Sequence, residues 1–394
     1  MTEHTPATPL RIQTLDVLRG FAVLGILAVN AAAFGFPMVA EMLPSQTPHL
    51  NAPGAGLSQW VTDTFFTQKF VTLFSMLFGV SLFLVGGEKG DPAKSPLLKR
   101  RLFWLAVFGL IHGSLFWYGD ILLLYAIVGM VMGLMRSMPA RRLIWIGGGV
   151  TLFLGFYQAL SAVLWPSPSA DLAEFFSTDA VARSIAAYQA GWPSGLIENL
   201  KAWGIVQGGS LFLYSLPTLA LMMLGLGLFK LGFFHGRLPR HYYLTMIAAG
   251  AIALALLGLA QGVERAAGPA EGDAKGWDLA ALSFPIIITL GYASALILAT
   301  TRMAWVRKVF APVGQMAFTN YLTQTLIMTA LFSMPYGPRL MGQMSHAQLW
   351  GLILAIWALQ LIWSPIWMKH FRMGPFEWVW RCLTHAKRLP LRRV

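Results

Sequence analysis

Apolar residues recur along this chain in long, nearly unbroken runs, not in the short alternations of half-buried strands or the one-sided stripes of soluble helices. Runs lie near 15–36, 64–86, 101–117, 120–135, 142–165, 205–231, 242–262, 279–300, 312–333 and 347–369. At roughly 20 apolar residues per membrane-crossing helix, they predict an all-α, polytopic integral membrane helix bundle of about ten transmembrane helices. Most connections are short. Residues 37–63 carry Pro37, Pro44, Pro48, Pro53 and His49, and residues 166–204 carry Asp171, Glu174, Asp179, Glu198, Trp192 and Trp203. Both predict a partly structured cap rather than bare connections. Trp60, Trp117, Trp165, Trp203 and Trp277 stand near run ends, where an interfacial aromatic belt accounts for most of them.

Charge gives the bundle a direction. With the N-terminus placed in the cytoplasm, 23 of the 29 Lys and Arg residues fall in inner segments, leaving Lys69, Arg183, Lys201, Arg265, Lys275 and Arg339 outside. Eleven of the 16 acidic residues fall outside. This is the positive-inside asymmetry, and it predicts that both termini are cytoplasmic. The whole of 1–394 is then a single transmembrane domain, with a cytoplasmic N-terminus over 1–14 and a basic cytoplasmic tail over 370–394. The location expected is a membrane with the cytoplasm on its inner face. Basic residues before a short apolar run ending in Ala31, Ala32 and Ala33 also describe a secretory signal with a cleavage site. Asp16 and Arg19 inside that run, and the loop alternation that its removal would spoil, favour a retained helix.

Composition excludes the other broad classes. The chain is 56% hydrophobic and 11% charged, with mean hydropathy +0.61, whereas soluble chains are about a quarter charged. The net charge of +13 is sorted by loop instead of gathered on one soluble face, so no nucleic acid partner is expected. The one cysteine, Cys382, cannot form an internal disulfide.

Polar groups held in hydrocarbon are costly and should face the protein interior, and few are present. In LDVLRGFAVLGILAVN, Asp16 and Arg19 lie one turn apart and Asn30 follows Arg19 by eleven residues. That is about 16 Å and three turns, so Arg19 and Asn30 share a face and one helix addresses both leaflets. An ion pair at Asp16 and Arg19, with Asn30 as packing glue, is the alternative. IHGSLFWYGDILLLYA places His112 in the outer half of a span and Asp120 just across a tight turn. Such a histidine can act as a general base with the carboxylate orienting it, or can be a structural histidine bonded to a carbonyl. Asn320 and Gln324 share a helix face beside Tyr321, and either line a polar cavity or bond a neighbouring helix. Ser75 and Gly79 suit a helix contact, Lys69 suits snorkelling, and Lys99, Arg100 and Arg101 suit phosphate or anionic lipid.

Several stretches together carry a resemblance: RIQTLDVLRGFAVLGILAVN, KFVTLFSMLFGVSLFL, IHGSLFWYGDILLLYAIVG, GQMAFTNYLTQTLI and GPFEWVWRCLTH. In this combination and order the chain resembles, over nearly its whole length, the YeiB-type bacterial membrane proteins, a domain-of-unknown-function family. That family is similar to the transmembrane acyltransferase superfamily, which includes heparan-alpha-glucosaminide N-acetyltransferase and bacterial enzymes that O-acylate surface sugars. Arg19 and Asn30 match the superfamily's first-helix pattern. The sugar O-acyltransferases carry histidine at the position of Asn30, and the heparan enzyme carries asparagine. The heparan enzyme's catalytic histidine falls here on Glu41, with His49 nearby but out of register, which leaves His112 as the preferred base.

The resemblance implies transfer of an acyl group, acetyl above all, from cytoplasmic acyl-CoA to an acceptor reached from outside, such as a sugar or lipid-linked glycan. In that mechanism His112 takes the acceptor proton, Asp120 orients it, and Asn30 polarises the thioester carbonyl or holds the acceptor. Arg19 with Arg100 or Arg101 binds donor phosphates. Asn320, Gln324 and Tyr321, with Glu41 and His49 of the first outer loop, complete the binding set. No metal is expected. Membrane lipids are the other partners, and a homodimer is left open. A transporter or lipid flippase with a central polar cavity competes with this reading, and a non-catalytic scaffold is a third.

Overall fold

The computed structural model describes residues 13–43, 46–164, 179–266 and 285–393. The predicted span ends at 165 and 279–284, the tryptophans Trp165 and Trp277, and the acidic Asp171 and Glu174 lie outside these residues. Helices make up the described chain, with one isolated antiparallel bridge between Phe371 and Arg392. In order they are α1 (Gln13–Gly35), α2 (Met38–Met42), α3 (Ala55–Val61), α4 (Lys69–Gly86), α5 (Lys94–Leu115), α6 (Leu122–Met135), α7 (Ala140–Leu164) and α8 (Ala180–Ala190). There follow α9 (Trp192–Leu213), α10 (Ser215–Lys230), α11 (Arg240–Ala266), α12 (Pro285–Arg302), α13 (Ala304–Gln315), α14 (Ala317–Phe332), α15 (His346–His370) and α16 (Pro375–His385).

Among the described residues five helices are long and apolar enough to cross a membrane: Gln13–Gly35, Ala55–Gly86 taken through its π-helical turn, Arg240–Val263, Pro285–Arg302 and His346–His370. A sixth results if α9 and α10, bent by 56° at Tyr214, count as one. Two apolar runs read above as single spans are therefore broken. Hydropathy continues through Tyr214, but Pro217 stands in the first turn of α10, where its ring suits a helix start and its missing N–H would break a continuous ladder. The run at 312–333 breaks at Met316, between α13 and α14. The run at 120–135 forms a helix of 14 residues, about 21 Å long and shorter than a hydrocarbon core of about 30 Å.

Two large apolar clusters hold most of the core, beside two small ones around Val17 and Leu257. One gathers Leu15, Leu18, Leu73, Leu77, Leu102, Leu105 and Tyr125 toward the Arg19 end, with Tyr321 at its margin. The other gathers Ala31, Phe34, Trp117, Met328 and Ile353 toward the Asn30 end. Helices α1 and α13 cross in backbone contact, since a Cβ on Gly20 would meet the Phe310 carbonyl and one on Gly314 the Asp16 carbonyl. Lys69 does not snorkel. It is buried and donates to the Asp63 carbonyl at 2.7 Å, closing the π-helical turn Thr62–Phe66. Trp117 is also interior, stacked on Phe34 at 4.2 Å.

Candidate functional site

Helix α5 ends where its last turn carries His112, and a tight turn returns the chain into α6. Asp120 in that turn puts one carboxylate oxygen on the His112 Nδ1–H at 2.8 Å and accepts the Leu123 amide on the other at 2.9 Å, as a cap for the first turn of α6. Where that carboxylate is ionised it only accepts, which places the proton of a neutral ring on Nδ1. Nε2 lies 2.9 Å from the Thr325 hydroxyl of α14, whose one proton has the Tyr321 carbonyl at 3.5 Å as its other acceptor. His112 and Asp120 are 4% and 3% exposed. Gly109 permits this closeness, because a Cβ there would strike the Leu123 backbone and crowd the Asp120 carboxylate. The imidazole lies 5.3 Å from the Tyr321 ring and 6.3 Å from the Trp117 ring, at the seam between the two apolar clusters.

Helix α9 holds this seam in place. Asn199 donates to the Gly113 and Ser114 carbonyls at 3.0 Å, satisfying the open end of α5, and Gln207 donates to the Asp120 carbonyl at 2.8 Å. Sequence reasoning passed over Asn199, Gln207 and Thr325. Thr325 was findable, since it stands one turn beyond Tyr321 in TNYLTQTL. The two α9 residues carried no signal without the bend that brings α9 against α5.

A cavity of about 290 Å³ runs from the Arg19 end of the bundle toward this seam, room for about ten waters at their liquid volume. Arg19 of α1, Arg101 of α5 and Arg381 of α16 line its charged end with Asp16 and Glu377. The rest of its lining is mostly apolar, with Val23, Phe74, Leu77, Phe78 and Leu105, and it reaches Ile26, Ile121, Tyr125 and Tyr321. From Arg19 to Ile26 the depth is about 10 Å along α1. Arg19 donates to the Ser81 hydroxyl at 2.8 Å and lies 3.4 Å from Asp16. The Arg101 guanidinium sits 3.7 Å over the Trp380 ring, and the Trp380 indole donates to the Arg101 carbonyl at 3.0 Å. Glu377 accepts from the Phe318 and Thr319 amides at 2.7 and 3.1 Å and from the Thr319 hydroxyl, so α16 caps the N-terminus of α14 where that helix starts anew after Met316. Burial raises the Glu377 carboxyl above its ordinary value, against the lowering effect of those donors.

The structure therefore places Arg19, Arg101 and Tyr321 in the lining of one cavity and pairs His112 with Asp120 outside that lining, next to Ile121. Arg100 points elsewhere, onto the Thr384 carbonyl at 3.3 Å, and does not line the cavity. Asn320 and Gln324 are consumed between helices. Asn320 bonds the Val313 carbonyl, Ser364 and the Trp363 indole, and Gln324 bonds the Val23 carbonyl and Gln360. Asn30 is half-buried on α1 and outside the cavity lining, His49 is exposed at φ 58°, and Glu41 meets the Tyr118 hydroxyl at 3.5 Å. Arg381 and Glu377 were missed because the tail read only as a basic segment. The amphipathic pattern of PFEWVWRCLTH, with Glu377 and Arg381 one turn apart, was the available signal.

Residues 228–387 match the protein-family model described as "Protein of unknown function (DUF418)". The chain is 32% identical to "Uncharacterized protein YeiB" of Escherichia coli (strain K12), across 94% of this chain and 95% of that one. It is 31% identical to "Uncharacterized protein YxaH" of Bacillus subtilis (strain 168), across 97% and 96%.

Proposed function

The chain belongs to the YeiB-type DUF418 family, and from that premise we propose that it is an integral membrane acyltransferase. The donor is acyl-CoA entering from the cytoplasm and the acceptor an extracytoplasmic or membrane-embedded hydroxyl or amine, of a sugar or lipid-linked glycan. The observation that carries this reading is one cavity that joins Arg19, Arg101 and Arg381 to an apolar lining that reaches Ile121, the neighbour of Asp120 in the His112–Asp120 pair. An anionic head with a slender chain fits these surfaces. In this reading about ten spans cross the bacterial inner membrane, with both termini cytoplasmic, so the arginine end opens toward the donor pool.

In the reaction, the acceptor oxygen or nitrogen attacks the thioester carbonyl carbon. The new C–O or C–N bond forms as the C–S bond breaks, and the acceptor proton passes to His112 and on to the departing thiolate, leaving CoA. Asp120 holds the ring with Nε2 as its basic face and stabilises the imidazolium. Because Nε2 faces the Thr325 hydroxyl, the proton moves through that hydroxyl or after it turns aside. Arg19, Arg101 and Arg381 bind donor phosphates, with Arg forks suited to phosphate oxygens.

Acetyl-CoA titrated by calorimetry into the full chain in detergent tests the reading. Binding should weaken with added salt, as exposed charge is screened within about 8 Å at physiological ionic strength. Arg101→Glu and Arg381→Glu should weaken it strongly, and Arg100→Glu little. Thiol release should follow when membrane extract supplies the acceptor. Absence of acetyl-CoA binding by the wild type would overturn the reading. The second reading, a transporter or lipid flippase, is favoured by the breaks at Tyr214 and Met316, since discontinuous helices frame many transport sites. It is supported by substrate that crosses a vesicle membrane unchanged, with no thiol released.

A further inference from the structure

One face of α15 changes character along its length. Leu359, Ile362 and Ile366 are 52%, 62% and 53% exposed, and their spacing puts them on one side of the helix. The same side continues one turn further into Lys369 and His370, which are exposed and end the helix. From Leu359 to His370 the helix rises about 16 Å, one leaflet of a hydrocarbon core about 30 Å thick. Because α15 is long and apolar enough to cross a membrane, an apolar stripe of one leaflet's depth leads to a cationic end.

The chain beyond α15 adds charge at the same place by folding back. The Arg372 amide donates to the Leu391 carbonyl and the Arg393 amide to the His370 carbonyl, both at 2.9 Å, and Arg393 Nε donates to the Phe371 carbonyl at 3.0 Å. The Trp378 indole fastens the returning segment by donating to the Leu389 carbonyl at 2.7 Å. Arg392 and Arg393 thereby border one cavity of about 390 Å³ with Lys369, His370 and Phe371. That volume holds about 13 waters at their liquid volume, room for a phosphodiester headgroup. Among the described residues no carboxylate lines it, and Lys369, Arg392 and Arg393 make no ion pair. Glu377, the one acidic residue between 369 and 393, is turned to Thr319. Phe371 gives the cavity an aromatic wall, itself stacked on Trp367 at 4.0 Å.

We propose that this cavity seats the headgroup of an anionic phospholipid from the surrounding leaflet, with the lipid chains along the stripe of Leu359, Ile362 and Ile366. The matching ligand is an amphiphile whose anion lies one leaflet from the bilayer midplane. A free phosphate would use the cations and leave the stripe unused. A zwitterionic lipid would cover the stripe but bring its own cation to a basic cluster. Guanidinium forks on Arg392 and Arg393 suit phosphate oxygens, and basic clusters at the end of a spanning helix attract anionic lipid. The bound headgroup also offsets the repulsion among Lys369, Arg392 and Arg393. None of these residues lines the Arg19 cavity, so the site is independent of the acyl-CoA reading.

Native mass spectrometry of the full chain, released from neutral detergent carrying either palmitoyl-oleoyl phosphatidylglycerol or the matching phosphatidylcholine, tests this. The wild type should retain phosphatidylglycerol at least about fivefold more tightly, the worth of one basic residue beside an anionic lipid. Arg392→Gln with Arg393→Gln removes two such residues. It should weaken phosphatidylglycerol about 25-fold and leave phosphatidylcholine unchanged. Arg141→Gln with Arg142→Gln takes the same charge from the exposed start of α7, away from the cavity, and should change neither lipid. Equal retention of the two lipids by the wild type overturns the inference, and that comparison needs no variant to fold. A tail variant that keeps its phosphatidylglycerol overturns it, as does equal loss in both variant pairs, since bulk charge would then be responsible. Labelled inorganic phosphate that binds the lipid-free wild type and is lost with Arg392 and Arg393 would assign the cavity to the free ion and overturn it too.

Discussion

Replacing Asp120 separates its structural weight from its chemistry. Its carboxylate holds the His112 ring at 2.8 Å and the Leu123 amide at 2.9 Å, at 3% exposure. Asp120→Ala removes a helix cap worth about 1 kcal/mol and a buried hydrogen bond to an ionisable partner worth about 1.5 to 3 kcal/mol. The expected loss is about 2.5 to 4 kcal/mol. Asp120→Asn keeps an oxygen for one of the two donors and should lose about half as much. Equilibrium unfolding in mixed detergent micelles measures both variants. A cycle with His112→Ala isolates the pair, and contacting residues of this kind should couple by about 0.5 to 3 kcal/mol. Turnover per folded molecule should fall in Asp120→Asn, because the ring loses its charged partner. Asp120→Ala costing under about 1 kcal/mol, with no coupling to His112, would refute the reasoning.

His112→Ala should lower turnover per folded molecule about a hundred- to ten-thousandfold while leaving acetyl-CoA affinity intact, since His112 does not line the cavity; a folded, fully active variant moves the base to Glu41 or His49. The raised carboxyl of Glu377 makes docking of α16 strongest below its unfolded value near 4.5 and weaker as pH rises through the folded value. Trypsin cleavage at Lys387 should accordingly speed up from pH 5 to pH 8 after correction for the protease's own pH dependence, and Glu377→Gln should flatten that rise. A cysteine placed at the exposed Asn51 should react with an impermeant reagent added outside intact cells, while Cys382 should not, and reversed labelling would invert the membrane orientation proposed above.

The sequence exposed those features that depend on neighbours in the chain. His112 and Asp120 are eight residues apart across one turn, so their pairing was readable, as was the polar end of α1 at Asp16 and Arg19. What escaped depends on distant partners or on backbone breaks. Asn320 and Gln324 do share a face, yet that face meets Val23 of α1 and Gln360 and Ser364 of α15, and only packing decides between a neighbour and a cavity. The break at Met316 was invisible because apolar sequence continues through it, and the cap that α14 needs there comes from Glu377, 58 residues away from Thr319. Lys69 read as a snorkelling lysine because its acceptor is a carbonyl in a π-turn that no propensity announces.

The cavity's arginine end is assembled from both ends of the described chain, with Arg19 on α1 and Arg381 on α16. During synthesis α1 leaves the ribosome long before α16 does. Until α16 docks, the N-terminus of α14 lacks its Glu377 carboxylate and Arg101 lacks the Trp380 ring beneath it. A chain without α16 thus keeps Arg19 and Arg101 at this end but lacks Arg381 and the cap on α14. On the function proposed above, a chain broken off before Pro375 should lose much of its grip on a polyphosphate donor.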